Sequence, residues 1–298
     1  MISMQDQPKI STIITSYNCA TTIVQAIESV LAQSMRPEEV IVVDDGSSDD
    51  SLSKILSFGD QITVISETNQ GPSAARNRGI ERASSHWVAL LDGDDAWHKE
   101  KLALQLAAAT DHPEAVVIAT DWARSIDDLD AGEHSNLSML FASDIAVLNR
   151  FQTSTVLVRR DALVRAGGFD PDLDSAEDWD LWLRLSQSGP SALIRSPLVF
   201  YRDNPSGVSK DVLTLEAKVS EIMDREVRNG YFATGFVNIV TAWHHQRFII
   251  AAILSRDFSQ AWKLLKKSGS RGNLRCHVDA FARYTLPFLV ERLSRRIS

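Results

Sequence analysis

The chain has 298 residues, 44% of them hydrophobic and 23% charged, which is the balance of an ordinary globular protein of one large domain or two modest ones. Its net charge of −8 is unevenly placed: residues 241–298 hold 11 Lys and Arg against 3 Asp and Glu, while residues 1–240 hold 20 against 36. An acidic body excludes general nucleic-acid binding, the lack of any run near roughly 20 apolar residues excludes a spanning helix, and two distant cysteines, Cys19 and Cys276, exclude a disulfide framework.

The opening MISMQDQPK has neither the basic start nor the apolar run of a secretory signal, so a cytoplasmic location is expected. Residues 10–15 (ISTIIT) form a β-branched run, and 20–33 (ATTIVQAIESVLAQ) carry apolar residues at helical spacing. A short apolar strand at 40–43 is closed by Asp44, Asp45, Gly46, Ser47 and Ser48. Residues 50–58 read as helix, 62–66 as strand, 72–83 as helix and 86–91 as strand. This alternation calls for a mostly parallel sheet with helices on both faces. In such sheets ligands bind at the carboxyl ends of the strands. Here those ends are Thr15–Ser16–Tyr17–Asn18, the Asp44–Asp45 pair, and Asp92–Gly93–Asp94–Asp95.

Further on, 99–109 read as helix, 115–119 as strand, and the acidic segment 125–150 as irregular loop. Strand is expected at 154–159, a short helix at 161–166 before Gly167–Gly168, and an amphipathic helix at 177–185. From 211 to 266 the pattern is helical, with a soft boundary near 205–210.

Four segments carry chemistry. Carboxylates two apart in a turn after a strand, as in Asp92 and Asp94, can share one Mg²⁺ or Mn²⁺ together with substrate phosphate oxygens. Asp95 reads as the cap of the following helix. Asp44 and Asp45 can accept from a base or a ribose, and Arg76, one turn into the helix after Gly71–Pro72, can reach a base or a diphosphate. In Glu177–Asp178–Trp179–Asp180, acids suit the start of a helix. A carboxylate beside an indole can also deprotonate a sugar hydroxyl while the ring receives the sugar face.

Taken in order, TSYN at 15–18, VDDGSSD at 43–49, GPSAARNRG at 71–79, LDGDD at 91–95 and EDWDLWLRL at 177–185 resemble the family 2 glycosyltransferases over roughly residues 9–205. The resemblance implies a GT-A-type, Rossmann-like α/β fold over 1–208, with a helical region over 209–298. It implies that Asp92 and Asp94 hold Mn²⁺ or Mg²⁺, and that Thr15, Tyr17, Asp44, Asp45, Arg76 and Asp92 line the donor side. Asp178 would be the general base, Glu177 would support the site, and Trp179 would meet the acceptor. The reaction implied is inverting transfer from a nucleotide-diphosphate sugar, UDP-linked first of all, to a carbohydrate or lipid-linked acceptor in surface polysaccharide or glycolipid assembly. The processive QxxRW motif is absent, which favours single transfer. A nucleotidyltransferase and a non-catalytic nucleotide-sugar binder are the competing readings, and the first lacks its glycine-rich phosphate loop. Apolar and basic stretches at 248–254 and 281–297 suit peripheral contact with an anionic membrane face, a packed helical subdomain or a dimer contact.

Overall fold

The computed structural model describes residues 9–132, 136–173, 175–202, 212–268 and 274–289. Two compact units divide the chain. The first holds residues up to Asn204, except 146–148 and 173–176; these short pieces join the second unit, Pro205–Ser298. The sequence boundary at 208/209 lies outside the described residues.

The first unit is built on a nine-stranded sheet. Its leading half is parallel: β3 (Thr63–Ser66), β2 (Glu39–Asp44), β1 (Ile10–Ser16) and β4 (Trp87–Asp92) lie side by side in that order. Every residue of β1 from Ile10 to Ile14 is buried, so both faces of the strand are covered, as an α/β sheet requires. Register decides what the strands share. Thr15 stands opposite both Val43 and Asp92, and Ser16 stands opposite Asp44. The polar strand ends therefore meet at one edge.

The helices run close to the sequence reading, with their starts displaced. α1 (Ile23–Leu31) begins three residues later than the pattern suggested. Thr22 instead donates its hydroxyl to the Gly93 carbonyl oxygen at 2.9 Å, holding the chain out of the helix. α2 (Ser51–Leu56) and α3 (Pro72–Arg82) follow, the latter with Pro72 in its first turn, where a missing N–H costs nothing. α4 (Lys101–Asp111) starts after Ala96–Trp97, which form a short strand, β5.

The second half of the sheet is where the sequence reading fell short. β6 (Val117–Ala123) and β8 (Leu157–Arg159) continue from β4, and β8 runs antiparallel to both neighbours. Segment 125–150, expected to be irregular, contains β7 (Leu137–Leu140) and α5 (Ala142–Val147). After α6 (Arg160–Arg165) and α7 (Glu177–Leu185) comes β9 (Ser191–Phe200), a ten-residue strand that the sequence reading lacked. It pairs with β6 in parallel and with β5 and β7 antiparallel. Pro197 hid it, because proline cannot donate to a ladder; the register of β6 against β9 shifts on either side of Asp121, opposite that proline.

Gly93 is required by space, not by dihedral freedom. A Cβ there would lie 2.8 Å from the Thr15 carbonyl oxygen, the same atom that accepts the Gly93 N–H at 2.8 Å, and 3.2 Å from Ile23 Cδ1. Backbone cannot yield as a side chain can, so Gly93→Ala should cost about 1–3 kcal/mol. A lowered Tm is the expected result; an unchanged Tm would remove the close approach as a constraint.

The second unit is helical. α8 (Val212–Arg228), α9 (Thr234–Leu254), α10 (Phe258–Ser268) and α11 (Leu274–Ala280) surround a core that includes Val219, Ile222, Met223, Val237, Val240, Trp243 and Leu264. Phe248, at the start of the apolar stretch 248–254, is 4% exposed and belongs to the packed interior. Residues 290–297 of the second stretch lie outside the described residues. No described helix is long and apolar enough to cross a membrane.

Candidate active site

Arg76 organises the site. It sits in α3 with its side chain buried, and its two terminal nitrogens point to different elements. Nη2 donates to Asp92 Oδ1 at 3.0 Å, and Nη1 donates to Glu177 Oε1 at 3.1 Å. The Phe169 ring lies 5.1 Å from the guanidinium carbon. Burial alone would disfavour its charge, but the two carboxylates reverse this and push its pKa above the usual arginine value. One cation therefore joins the end of β4 to the start of α7, although 101 residues separate Arg76 from Glu177.

Around it, the DGDD turn is held from three sides. Thr15 donates its hydroxyl to Asp92 Oδ1 at 3.2 Å. Ser154 accepts the Asp92 N–H at 3.1 Å and donates its own hydroxyl to Asp95 Oδ2 at 2.5 Å. Arg202 donates its backbone N–H to Asp95 Oδ1 at 2.9 Å and its Nε–H to the Asp94 carbonyl at 3.0 Å. Asp95 is thus no helix cap: α4 begins at Lys101, and Asp95 is 2% exposed beneath the turn. Burial, then the Asp92 charge, pushes its carboxyl up to about 8. Asp94 is raised for the same two reasons in the same order. Asp92 and Asp94, both half-buried and repelling each other, form a pair of hard-oxygen donors that suits a divalent cation. Among the described residues no three His, Cys, Asp or Glu are placed to hold a metal ion together, so phosphate oxygens or water would have to complete any such shell.

Asp44 and Asp45 each hold loop donors after β2. Asp44 is 1% exposed and its two oxygens receive the Ser47 hydroxyl and N–H at 2.5 and 3.2 Å. Asp45, also buried, accepts the N–H groups of Gln70 and Gly71 at 2.8 and 2.9 Å. Both carboxylates shape the loops that follow β2 and precede α3. Tyr17, by contrast, is exposed at the strand edge.

At the start of α7, Asp178 is half-buried and accepts Asn149 Nδ2–H at 2.9 Å. Burial, then the neighbouring Glu177, pushes it up to about 7, and the Asn149 bond partly opposes this. A carboxylate poised near neutrality can take a hydroxyl proton. Trp179 does not offer its ring: it is 3% exposed, and its indole N–H donates to the Ile145 carbonyl at 2.6 Å. This corrects the expectation that it meets the acceptor. Sequence reasoning missed Asn149, Ser154 and Arg202. Asn149 lies in a segment read as loop and Arg202 follows the unrecognised β9, so only Ser154, at an expected strand start, had a local signal.

Residues 11–168 match the family described as Glycosyl transferase family 2. TuaG of Bacillus subtilis, named for teichuronic acid biosynthesis, is 33% identical over 195 residues, which are 62% of this chain and 75% of that protein. The amylovoran biosynthesis glycosyltransferase AmsB of Erwinia amylovora is 30% identical over 210 residues, 64% of this chain and 68% of that protein. An uncharacterized glycosyltransferase of Rickettsia felis shares 42% identity over 100 residues, and there the match spans 33% of this chain but 17% of its relative's length. Among solved structures, S. aureus TarS 1-349 in complex with UDP-GlcNAc is similar with a TM-score of 0.64 at 20% identity, covering 92% of this chain and 79% of that one. The mannosyltransferase PcManGT from Pyrobaculum calidifontis, in complex with GDP-Man and Mn²⁺, gives 0.63 at 19% identity over 95% and 81%.

Proposed function

The chain belongs to glycosyl transferase family 2, and from that premise we propose that it transfers a sugar from a nucleotide-diphosphate donor, UDP-linked first of all, to an acceptor hydroxyl with inversion. The observation that carries this reading is the Arg76 bridge, which brings the DGDD turn and the Glu177–Asp178 pair into one site. Surface polysaccharide assembly is the setting that the names of the relatives support.

Asp92 and Asp94 would hold a divalent ion, which when bound supplies neutralisation of the charge on the departing diphosphate. Thr15 and Tyr17 present the donor edge, Asp44 and Asp45 act through the loops they tie down, and Arg76 keeps Asp92 and Glu177 in register. Asp178 accepts the proton of the attacking hydroxyl, and its raised pKa keeps the resulting acid stable near neutrality. Attack from the face opposite the leaving group inverts the anomeric centre in one displacement.

A donor screen with Mn²⁺ or Mg²⁺ tests the reading. Release of a nucleoside diphosphate from UDP-, GDP- or dTDP-sugars is expected, and it should stop with EDTA. Asp94→Asn should lose Mn²⁺ binding, read by electron paramagnetic resonance, together with about 10²-fold or more of turnover. Pyrophosphate exchange would instead indicate nucleotidyl transfer, and binding without turnover would remove catalysis.

A further inference from the structure

The second unit carries a surface that the transfer chemistry does not use. α10 buries Ala261 and Leu264 and leaves Phe258, Trp262 and Leu265 exposed at 66%, 61% and 47%. Spacings of four and three residues place these three on one stripe of the helix. Lys263 and Lys266 come next around the helix, both exposed, and Lys266 Nζ lies 5.3 Å from the Trp262 ring centroid. Lys267 differs, since it reaches the buried Glu216 at 3.5 Å.

We propose that this stripe docks on an anionic lipid surface. The two aromatic rings and Leu265 enter the boundary between head groups and acyl chains, with the helix lying in the plane, while Lys263 and Lys266 meet the lipid phosphates. Charge supports this occupant. The whole chain carries −8 and would be repelled by an anionic bilayer, yet residues 241–298 hold 11 basic against 3 acidic residues. The exposed stripe is three residues long on one helix, and the cations lie directly beside it. A bilayer needs no complementary shape, so a small apolar stripe beside cations suffices.

The proposal stands apart from the transfer reading and is tested on the full chain. Cosedimentation would compare phosphatidylcholine vesicles with vesicles containing phosphatidylglycerol, at low salt and at roughly 0.5 M NaCl, where the Debye length falls to a few ångströms. The expected result is binding to the anionic vesicles that weakens at least tenfold at high salt. Phe258→Ser/Trp262→Ser and Lys263→Glu/Lys266→Glu should each weaken it at least tenfold, with circular dichroism and donor turnover in solution unchanged. No binding at low salt, or binding as tight as the wild type by either variant, overturns it. So does a concentration-dependent dimer, seen by light scattering, that Phe258→Ser/Trp262→Ser dissolves while no vesicle binding occurs.

Discussion

Asp178→Asn should abolish sugar transfer while leaving donor binding measurable by calorimetry. The substitution keeps shape and volume but replaces a basic carboxylate with a neutral amide that cannot take up the acceptor's proton, so a loss of about 10²–10⁴-fold in kcat is expected. Because burial and Glu177 raise Asp178 to about 7, the wild-type rate should climb as pH rises through about 7 and fall as pH drops below it. The variant's residual rate should be flat across that window. The same raised value has a thermodynamic sign. The folded protein holds this proton where the unfolded chain, near 3.8, has lost it, so the group's contribution to stability is present below about 3.8 and is lost as pH rises through about 7. A wild-type pH profile without the limb, or near-normal transfer by Asp178→Asn, removes Asp178 from the role of base.

Arg76→Met should damage both stability and activity, because it leaves Asp92 and Glu177 facing each other's region without the cation they share. Removing one partner from a buried pair costs about 3–5 kcal/mol, and the lower end applies here because Asp92 keeps partial contact with water. Several degrees of Tm should be lost. Arg76→Lys should recover little, since one ammonium cannot donate in the two directions that the guanidinium spans. The double variant Arg76→Met/Glu177→Gln should recover part of the stability and little of the turnover, which separates charge relief from positioning. If Arg76→Met keeps wild-type Tm and transfer, the bridge does not organise the site.

Much of the first unit was legible in the residues. Its leading strands are short β-branched or apolar runs that end in polar residues, and the parallel register then brings Thr15, Asp44 and Asp92 to one edge. Local patterning suffices there because β1, β2 and β4 lie between covered faces, so the apolar run and its abrupt polar stop are both visible in sequence. The second half of the sheet was less legible. Pro197 interrupts the alternation of β9, and β7 has only four residues, two of them polar or flexible, within an acidic segment. Strands of that kind are specified by their partners across the ladder, which a linear pattern does not display.

The sequence by itself determined the DGDD turn as the end of a strand, the acidic start of α7, and the family to which both belong, because each is a local arrangement of chemistry with fixed spacing. Tertiary structure alone decided what each acid does. Asp95 lies under the turn because Ser154 and Arg202 reach it from distant segments, and Asp44 and Asp45 turn inward because the loops beside them offer N–H and hydroxyl donors. Trp179 is interior because a carbonyl of α5 takes its indole N–H. Burial and long-range partners set hydrogen bonding and pKa, and neither is a property of neighbouring residues in the chain.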